Sequence, residues 1–89
     1  TMAPRTWVAI DVAKDAHVVL VDAPTGRRQF RVPNRLEDVT GLVAFLREQP
    51  APVRVGLEPT GVYHRPLAFQ LVHAGVDVVL IASLAVARY

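Results

Sequence analysis

The chain has 89 residues, of which 52% are hydrophobic, and a formal net charge of +2. This length allows one small domain, residues 1–89, and the absence of cysteine excludes a disulfide framework and a thiolate metal site. No apolar run reaches the length of a membrane span and no signal pattern opens the chain, which predicts a soluble, cytoplasmic protein. Thr1, which precedes Met2, is interpreted as a remnant of a tag.

The first third of the sequence predicts three antiparallel strands. The first is apolar and carries Asp11 near its end, and we expect a strand of this composition to be covered on both faces. A tight polar connection, Lys14–Asp15, leads to a second β-branched run, Ala16–Asp22, which is a hairpin signature. After another turn, the third strand, Arg27–Val32, is predicted at the solvated edge. Its alternation puts Arg28, Phe30 and Val32 on one face and Arg27, Gln29 and Arg31 on the other.

A helix and a parallel strand are predicted next. Asn34 followed three places later by Glu37 is a helix-start pattern, and apolar residues at helical spacing continue it to Arg47. These residues are Leu36, Val39, Leu42, Val43 and Leu46. Pro50–Pro52 ends the helix, and the apolar run Val53–Glu58 then returns across the sheet. A strand-helix-strand crossover of this length predicts that this run lies parallel to the first strand.

The remaining sequence predicts a second crossover. A helix is expected to begin between Tyr63 and Arg65, followed by a fifth strand, Val76–Ala82. Ser83 is a candidate cap for a further helix, 84–89, that the sequence carries for little more than one turn. The element order βββαβαβ and the sheet order 3-2-1-4-5 predict the α/β core of a ribonuclease-H-like fold, truncated before its last helices.

Asp11 and Glu58 are the candidate catalytic and metal-binding residues. If their strands are parallel neighbours, both carboxylates emerge at the carboxyl edge of the sheet, where α/β proteins tend to bind ligands. Two adjacent carboxylates repel each other unless a divalent cation lies between them, which favours Mg²⁺ or Mn²⁺. The alternative is that Asp11 accepts hydrogen bonds from loop amides and that Glu58 is an exposed strand end.

A cluster of arginines near the third strand is a candidate nucleic-acid contact, since the guanidinium group donates two parallel hydrogen bonds to phosphate. The cluster consists of Arg27, Arg28, Arg31 and Arg35. The alternative is an edge strand that charge protects against sheet-to-sheet pairing. Lys14 and Thr60 are either further phosphate contacts or ordinary turn residues. The histidines lack metal-ligand spacing and are expected at the surface; they are His17, His64 and His73.

Three segments resemble the N-terminal domain of DEDD insertion-sequence transposases, the group related to the Piv DNA invertase. They are V-A-I-D-V-A-K-D-A-H, G-L-E-P-T-G-V-Y-H-R-P-L-A and L-A-V-A-R-Y. The resemblance implies a RuvC-like domain in which four acids, in the order Asp, Glu, Asp, Asp, bind divalent metal. Asp11 and Glu58 match the first two, and the last two would follow Tyr89.

The resemblance further implies a DNA transposase or site-specific recombinase that cleaves and exchanges DNA strands. Such proteins also have a C-terminal domain with a catalytic serine, and they act with a guide RNA that bridges donor and target DNA. With two of the four acids, these 89 residues are expected to be inactive on their own, and the apolar fifth strand predicts a homo-oligomer. The alternatives are a non-catalytic nucleic-acid-binding or oligomerisation module and a fragment of an actin-like or sugar-kinase-like ATPase.

Overall fold

The computed structural model describes residues 3–58 and 64–81. Within them, five strands and two helices follow one another in the predicted order. The elements are β1 Thr6–Asp11, β2 Ala16–Ala23, β3 Gly26–Pro33, α1 Leu36–Arg47, β4 Val53–Glu58, α2 His64–His73 and β5 Asp77–Leu80. Thr60, Tyr63 and the predicted terminal helix, 84–89, lie outside the described residues.

The strands form one mixed sheet in the order β3-β2-β1-β4-β5, which confirms the predicted topology. The first three strands are antiparallel neighbours, as expected for a meander with short turns. The last two run parallel to β1 and to each other, because each is reached through a helical crossover. β5 is shorter than predicted, and Ile81 continues its ladder only through a backbone hydrogen bond of 2.8 Å to Leu57.

One face of the sheet carries the core. Alternate residues of β1 are buried, with Val8 and Ile10 on the face that packs against α1 and α2. Both helices contribute buried side chains to the core. Those of α2 are Leu67 and Leu71, and those of α1 are Val39, Leu42, Val43 and Leu46. Trp7, Ala9 and Asp11, on the other face, are exposed in the described part of the chain. The expectation that β1 is covered on both faces is therefore wrong for these residues.

The start of α1 differs from its predicted form. Arg35, rather than Asn34, occupies the N-cap position, and it makes no side-chain cap hydrogen bond. Leu36 was expected on the apolar face of this helix, but 76% of it is exposed. The helical period identified the other buried residues of α1 correctly, whereas Leu36 lies in its first turn, ahead of the part that packs on the sheet.

His17 is fully buried, so the expectation that it lies at the surface is wrong. Its Nδ1 accepts a hydrogen bond of 3.2 Å from the backbone N–H of Ala13, and its Nε2 lies 3.3 Å from Oδ1 of Asn34. The Asn34 amide donates in turn to the carbonyl of Lys14 at 2.8 Å. Asn34 thus bonds to the β1–β2 loop and to His17 rather than capping α1. His73 is exposed, as predicted, and the side chain of His64 lies outside the description.

No helix in the described part of the chain is long and apolar enough to cross a membrane.

We predict that acid lowers the stability of the protein partly through His17. Burial lowers the pKa of this imidazole below 6.5, and the hydrogen bond with Asn34 opposes that effect only in part. As the pH falls below 6.5, the unfolded chain therefore binds more protons than the folded chain. The stabilisation is complete above pH 6.5 and is lost as the pH falls toward the lowered folded pKa.

Denaturant unfolding at about pH 7.5 and about pH 5.5 measures this loss. His17→Asn should show a smaller decrease in the free energy of unfolding than the wild type, whereas His73→Asn should show the same decrease. The exposed Lys14 and Asp15, on the loop next to His17, are unchanged in both variants. An equal decrease in wild type and His17→Asn would contradict the prediction.

Candidate metal and nucleic-acid site

The parallel register of β1 and β4 makes Asp11 and Glu58 direct neighbours. Both residues end their strands, and adjacent strands lie about 4.8 Å apart. The pairing continues one residue further, where the N–H of Val12 donates to the carbonyl of Glu58 at 3.3 Å. Both acids are exposed on the face opposite the helices. The predicted adjacency of the two acids is confirmed, while their catalytic and metal-binding roles stay predictions.

The two acids border an open depression of about 250 Å³ on this face of the sheet. It is lined by Ala9, Ile10, Asp11, Val18, Leu20, Gln29, Gly56, Glu58 and Ile81. The small residues Ala9 and Gly56 form part of its floor, and the side chain of Ile81 lies over Gly56. A Cβ at position 56 would require the end of the Ile81 side chain to move. The depression therefore has apolar walls and an acidic end.

The strand registers show which basic residues share a face with the acids. Arg31 pairs with Val18, which pairs with Asp11, so all three lie in one row across the sheet. Arg31 is thus two strand spacings, or about 10 Å, from Asp11. Arg27 lies further along the same face and forms an exposed ion pair of 3.5 Å with Asp22.

The other basic candidates lie elsewhere. Arg28 is on the helix face, where its guanidinium lies 5.2 Å from the ring centroid of Phe45. Arg35, at the N-cap of α1, donates a hydrogen bond of 2.8 Å to Asp38. Lys14 is exposed on the loop after Asp11, and Thr60 lies outside the described residues. The four arginines that are close together in the sequence therefore lie on opposite faces of the sheet and at the N-terminus of α1.

Two carboxylates fit part of a magnesium or manganese site. Mg²⁺ is usually bound by one or two carboxylates together with water and substrate phosphates, and the exposure of both acids leaves room for such ligands. Among residues 3–58 and 64–81, no group of three or more histidine, cysteine or acidic side chains converges as a closed metal site. The arrangement suits an open site that a phosphate would complete.

His17 is the residue next to this site that sequence reasoning missed. It bonds to the loop that begins directly after Asp11, but it lies on the helix face rather than with the acids. The alternation of the second strand was a usable signal, because His17 has the same parity as Val19 and Val21, which are buried.

Comparisons with known proteins agree with the geometry. The family model DEDD_Tnp_IS110, described as a transposase, matches residues 8–89. The Thermoplasma acidophilum Pelota protein is similar with a TM-score of 0.59 at 14% identity, covering 90% of this chain and 28% of that one. RuvC of T. thermophilus, in complex with a Holliday junction substrate, is similar with a TM-score of 0.51 at 18% identity, covering 93% of this chain and 68% of that one. No curated protein matches the sequence significantly.

At these identities, the structural likenesses show the fold alone, and the RuvC-like, ribonuclease-H-like prediction is confirmed. The chain spans little more than a quarter of the Pelota structure, so the activity of that whole protein does not transfer to it.

We predict that Asp11→Asn and Glu58→Gln each raise the free energy of unfolding in metal-free buffer. Like charges directly opposite each other on a sheet are destabilising, and relieving such a contact is worth roughly 0.2–1 kcal/mol. Chemical denaturation with a chelator present provides the measurement. Asp22→Asn is the matched control, since that exposed acid faces Arg27 and its loss should give no gain. A decrease in stability in both site variants would identify the two acids as structural groups.

Proposed function

Since the chain belongs to the DEDD_Tnp_IS110 transposase family, we propose that it is the N-terminal catalytic-domain fragment of a DNA transposase or site-specific recombinase. Asp11 and Glu58 act in it as catalytic residues that bind Mg²⁺ or Mn²⁺ for DNA strand cleavage and exchange. The observation that carries the proposal is the register that pairs the two acids at the exposed carboxyl edge of the sheet. The family membership favours this function over that of an ATPase fragment.

A divalent ion at this position would neutralise charge on a phosphodiester and supply a water or hydroxyl nucleophile. Asp11 and Glu58 contribute carboxylate oxygens from adjacent strand ends, and the register of the sheet makes them neighbours. The open face beside them leaves access for a nucleic-acid backbone. The two further acids implied by the family resemblance would follow Tyr89 and complete the ligand set.

The nucleic acid is proposed to cross the open face along the row that contains Arg31 and Asp11. Arg31 would bind a phosphate about two strand spacings from Asp11, and Arg27 would extend the contact along β3. Lys14, on the loop after Asp11, and Arg35, at the N-cap of α1, are proposed as further phosphate contacts. Thr60, which lies outside the described residues, is proposed as another. The polymer is DNA, and in the full-length protein a guide RNA is a further partner.

A non-catalytic nucleic-acid-binding module is the second candidate. The observation that favours it is that the described residues bring together two acids and no third metal ligand. In this case the arginines would bind nucleic acid while Asp11 and Glu58 remain dispensable. Loss of full-length function after Asp11→Ala or Glu58→Ala would reject this alternative, and retained function would reject the catalytic proposal.

We predict that the 89-residue protein binds Mn²⁺ with affinity no tighter than the millimolar range. Two exposed carboxylates with solvent on the remaining coordination positions make a weak Mg²⁺ or Mn²⁺ site, since phosphates normally complete it. Calorimetric titration provides the test, with Glu58→Gln as the site variant and Asp22→Asn as the control. Tight binding that disappears in Glu58→Gln would show that the two acids suffice.

The same protein is predicted not to cleave DNA, because half of the implied acids lie beyond it. Incubation of repurified protein with supercoiled DNA and Mn²⁺ checks this. Cleavage that disappears in Asp11→Asn would contradict the prediction and would still locate the activity at this site.

We predict salt-sensitive nucleic-acid binding with a shallow dependence of log affinity on log salt. Each phosphate contact contributes roughly 0.7–0.9 units of slope. Replacing Arg27, Arg28, Arg31 and Arg35 together with glutamine should flatten the slope. Among single variants, Arg31→Gln should reduce it more than Arg28→Gln, because Arg28 lies on the opposite face beside Phe45. Equal effects of the two single variants would place the nucleic acid around the edge strand instead.

Self-association through β5 is proposed as well. β5 is an edge strand of the described sheet, and Val79, Leu80 and Ile81 are 37%, 60% and 44% exposed. A second copy could pair with this edge and cover these side chains. Light scattering should show a dimer that Val79→Lys weakens, whereas Val72→Lys, an exposed position on α2, should leave it intact. A wild-type monomer at high concentration would contradict the proposal.

A further inference from the structure

The backbone that follows Asp11 is held by two successive hydrogen bonds of different origin. The N–H of Val12 donates to the carbonyl of Glu58, which extends the sheet by one residue. The next N–H, that of Ala13, donates to Nδ1 of His17 on β2. The backbone just after Asp11 is therefore held by a ladder bond on one side and by an imidazole on the other.

The hydrogen bonds around His17 form a closed path that begins and ends on this loop. Because Nδ1 accepts from Ala13, a neutral ring carries its proton on Nε2 and donates it to Oδ1 of Asn34. The Asn34 amide nitrogen donates to the carbonyl of Lys14, the residue after Ala13. The backbone N–H of Asn34 also donates to the carbonyl of Asp15 at 2.8 Å. Both ring nitrogens and both polar atoms of the Asn34 side chain therefore have partners whose donor and acceptor roles are mutually consistent.

We propose that His17 is a positioning residue for Asp11: through Ala13 and Asn34, its imidazole fixes the loop between β1 and β2 and so holds the Asp11 carboxylate beside Glu58. The side chain is fully buried, and it occupies a position of β2 that a β-branched apolar residue would fill more simply. Burying an imidazole costs free energy unless both of its nitrogens are hydrogen-bonded. Here both nitrogens bond to groups that determine the course of the loop.

This inference rests on the proposed function only for the use of Asp11 as a metal ligand. The control of the loop by His17 is a separate claim about the backbone, so the two can fail independently. A purely structural role would stabilise the whole domain without a special effect at Asp11.

Each of two substitutions preserves one of the two hydrogen bonds of the ring and removes the other. His17→Asn keeps a side-chain acceptor near the position of Nδ1 and loses the bond to Asn34. His17→Gln keeps an amide donor near the position of Nε2 and loses the bond from Ala13. His73→Gln, at an exposed position, is the matched control.

Amide hydrogen exchange and the side-chain ¹³C shift of Asp11 provide readouts that need no metal. Exchange at Ala13 should be about tenfold faster in His17→Gln than in the wild type, and close to the wild-type rate in His17→Asn. The Asp11 shift should move in His17→Gln alone. Equal behaviour of the two variants at Ala13 and Asp11 would overturn the proposal.

Paramagnetic broadening by Mn²⁺ connects the loop to the site. Broadening at the Asp11 and Val12 amides should be several-fold weaker in His17→Gln than in His17→Asn. Unchanged broadening in a His17→Gln protein whose Ala13 exchange is fast would refute the positioning role. If Mn²⁺ broadens neither amide in the wild type, the metal proposal fails, and the exchange and shift data still decide the role of His17.

Asn34→Ala covers the case in which both ring variants unfold. It leaves the buried ring in place and removes the partner of Nε2 and the donor to Lys14. Exchange at Ala13 should then accelerate and the Asp11 shift should move, because this variant, unlike His17→Asn, also loses the bond that holds the loop at Lys14. Wild-type values at both residues would overturn the proposal.

Discussion

The pairing of β1 with β4 is the constraint on which the rest of the structure depends. Its register matches Val8 with Val55 and Ile10 with Leu57, and these four side chains face the helices. Because side chains alternate across a strand, the same register puts Asp11 and Glu58 together on the opposite face. A slip of one residue in either strand would carry its apolar set to the open face, at a cost of several buried side chains. The burial of the core therefore sets the strand register that makes the two acids neighbours.

The open face of the sheet carries different kinds of side chain at its centre and in its outer rows. Small or apolar residues lie at its centre, with the acids and Arg31 in one row and Trp7 and Arg54 in another. In the latter row, Arg54 lies 5.6 Å from the Trp7 ring centroid and bonds to Asp77 at 2.8 Å. The fold is shared with proteins as different as Pelota and RuvC, so it does not assign a function by itself. The family match shows which family the chain belongs to, and the exposed acid pair supports the function proposed above.

The side chain of Asn34 bonds to the loop after Asp11 instead of capping the helix that follows it. An asparagine at a helix start ordinarily caps the first turn, which is worth about 1 kcal/mol. Here its side chain bonds to His17 and to Lys14, and Arg35 occupies the N-cap without a side-chain bond. The network connects the β1–β2 loop to the start of α1, two segments that the sequence separates by about twenty residues.

The sequence by itself determined the element order, the alternation of β3, most of the buried face of α1 and the position of both acids at strand ends. Periodicity and turn residues are local signals, and they are sufficient for these features. The tertiary structure alone decided that Arg31 shares a face with Asp11 while Arg28 does not, because that depends on the registers in which β1, β2 and β3 pair. It also decided the roles of His17 and Asn34, whose hydrogen-bond partners are brought together only when the meander and α1 have packed. The periodicity of one element shows which of its residues share a face, but only the packed chain shows which residues of other elements lie beside or against that face.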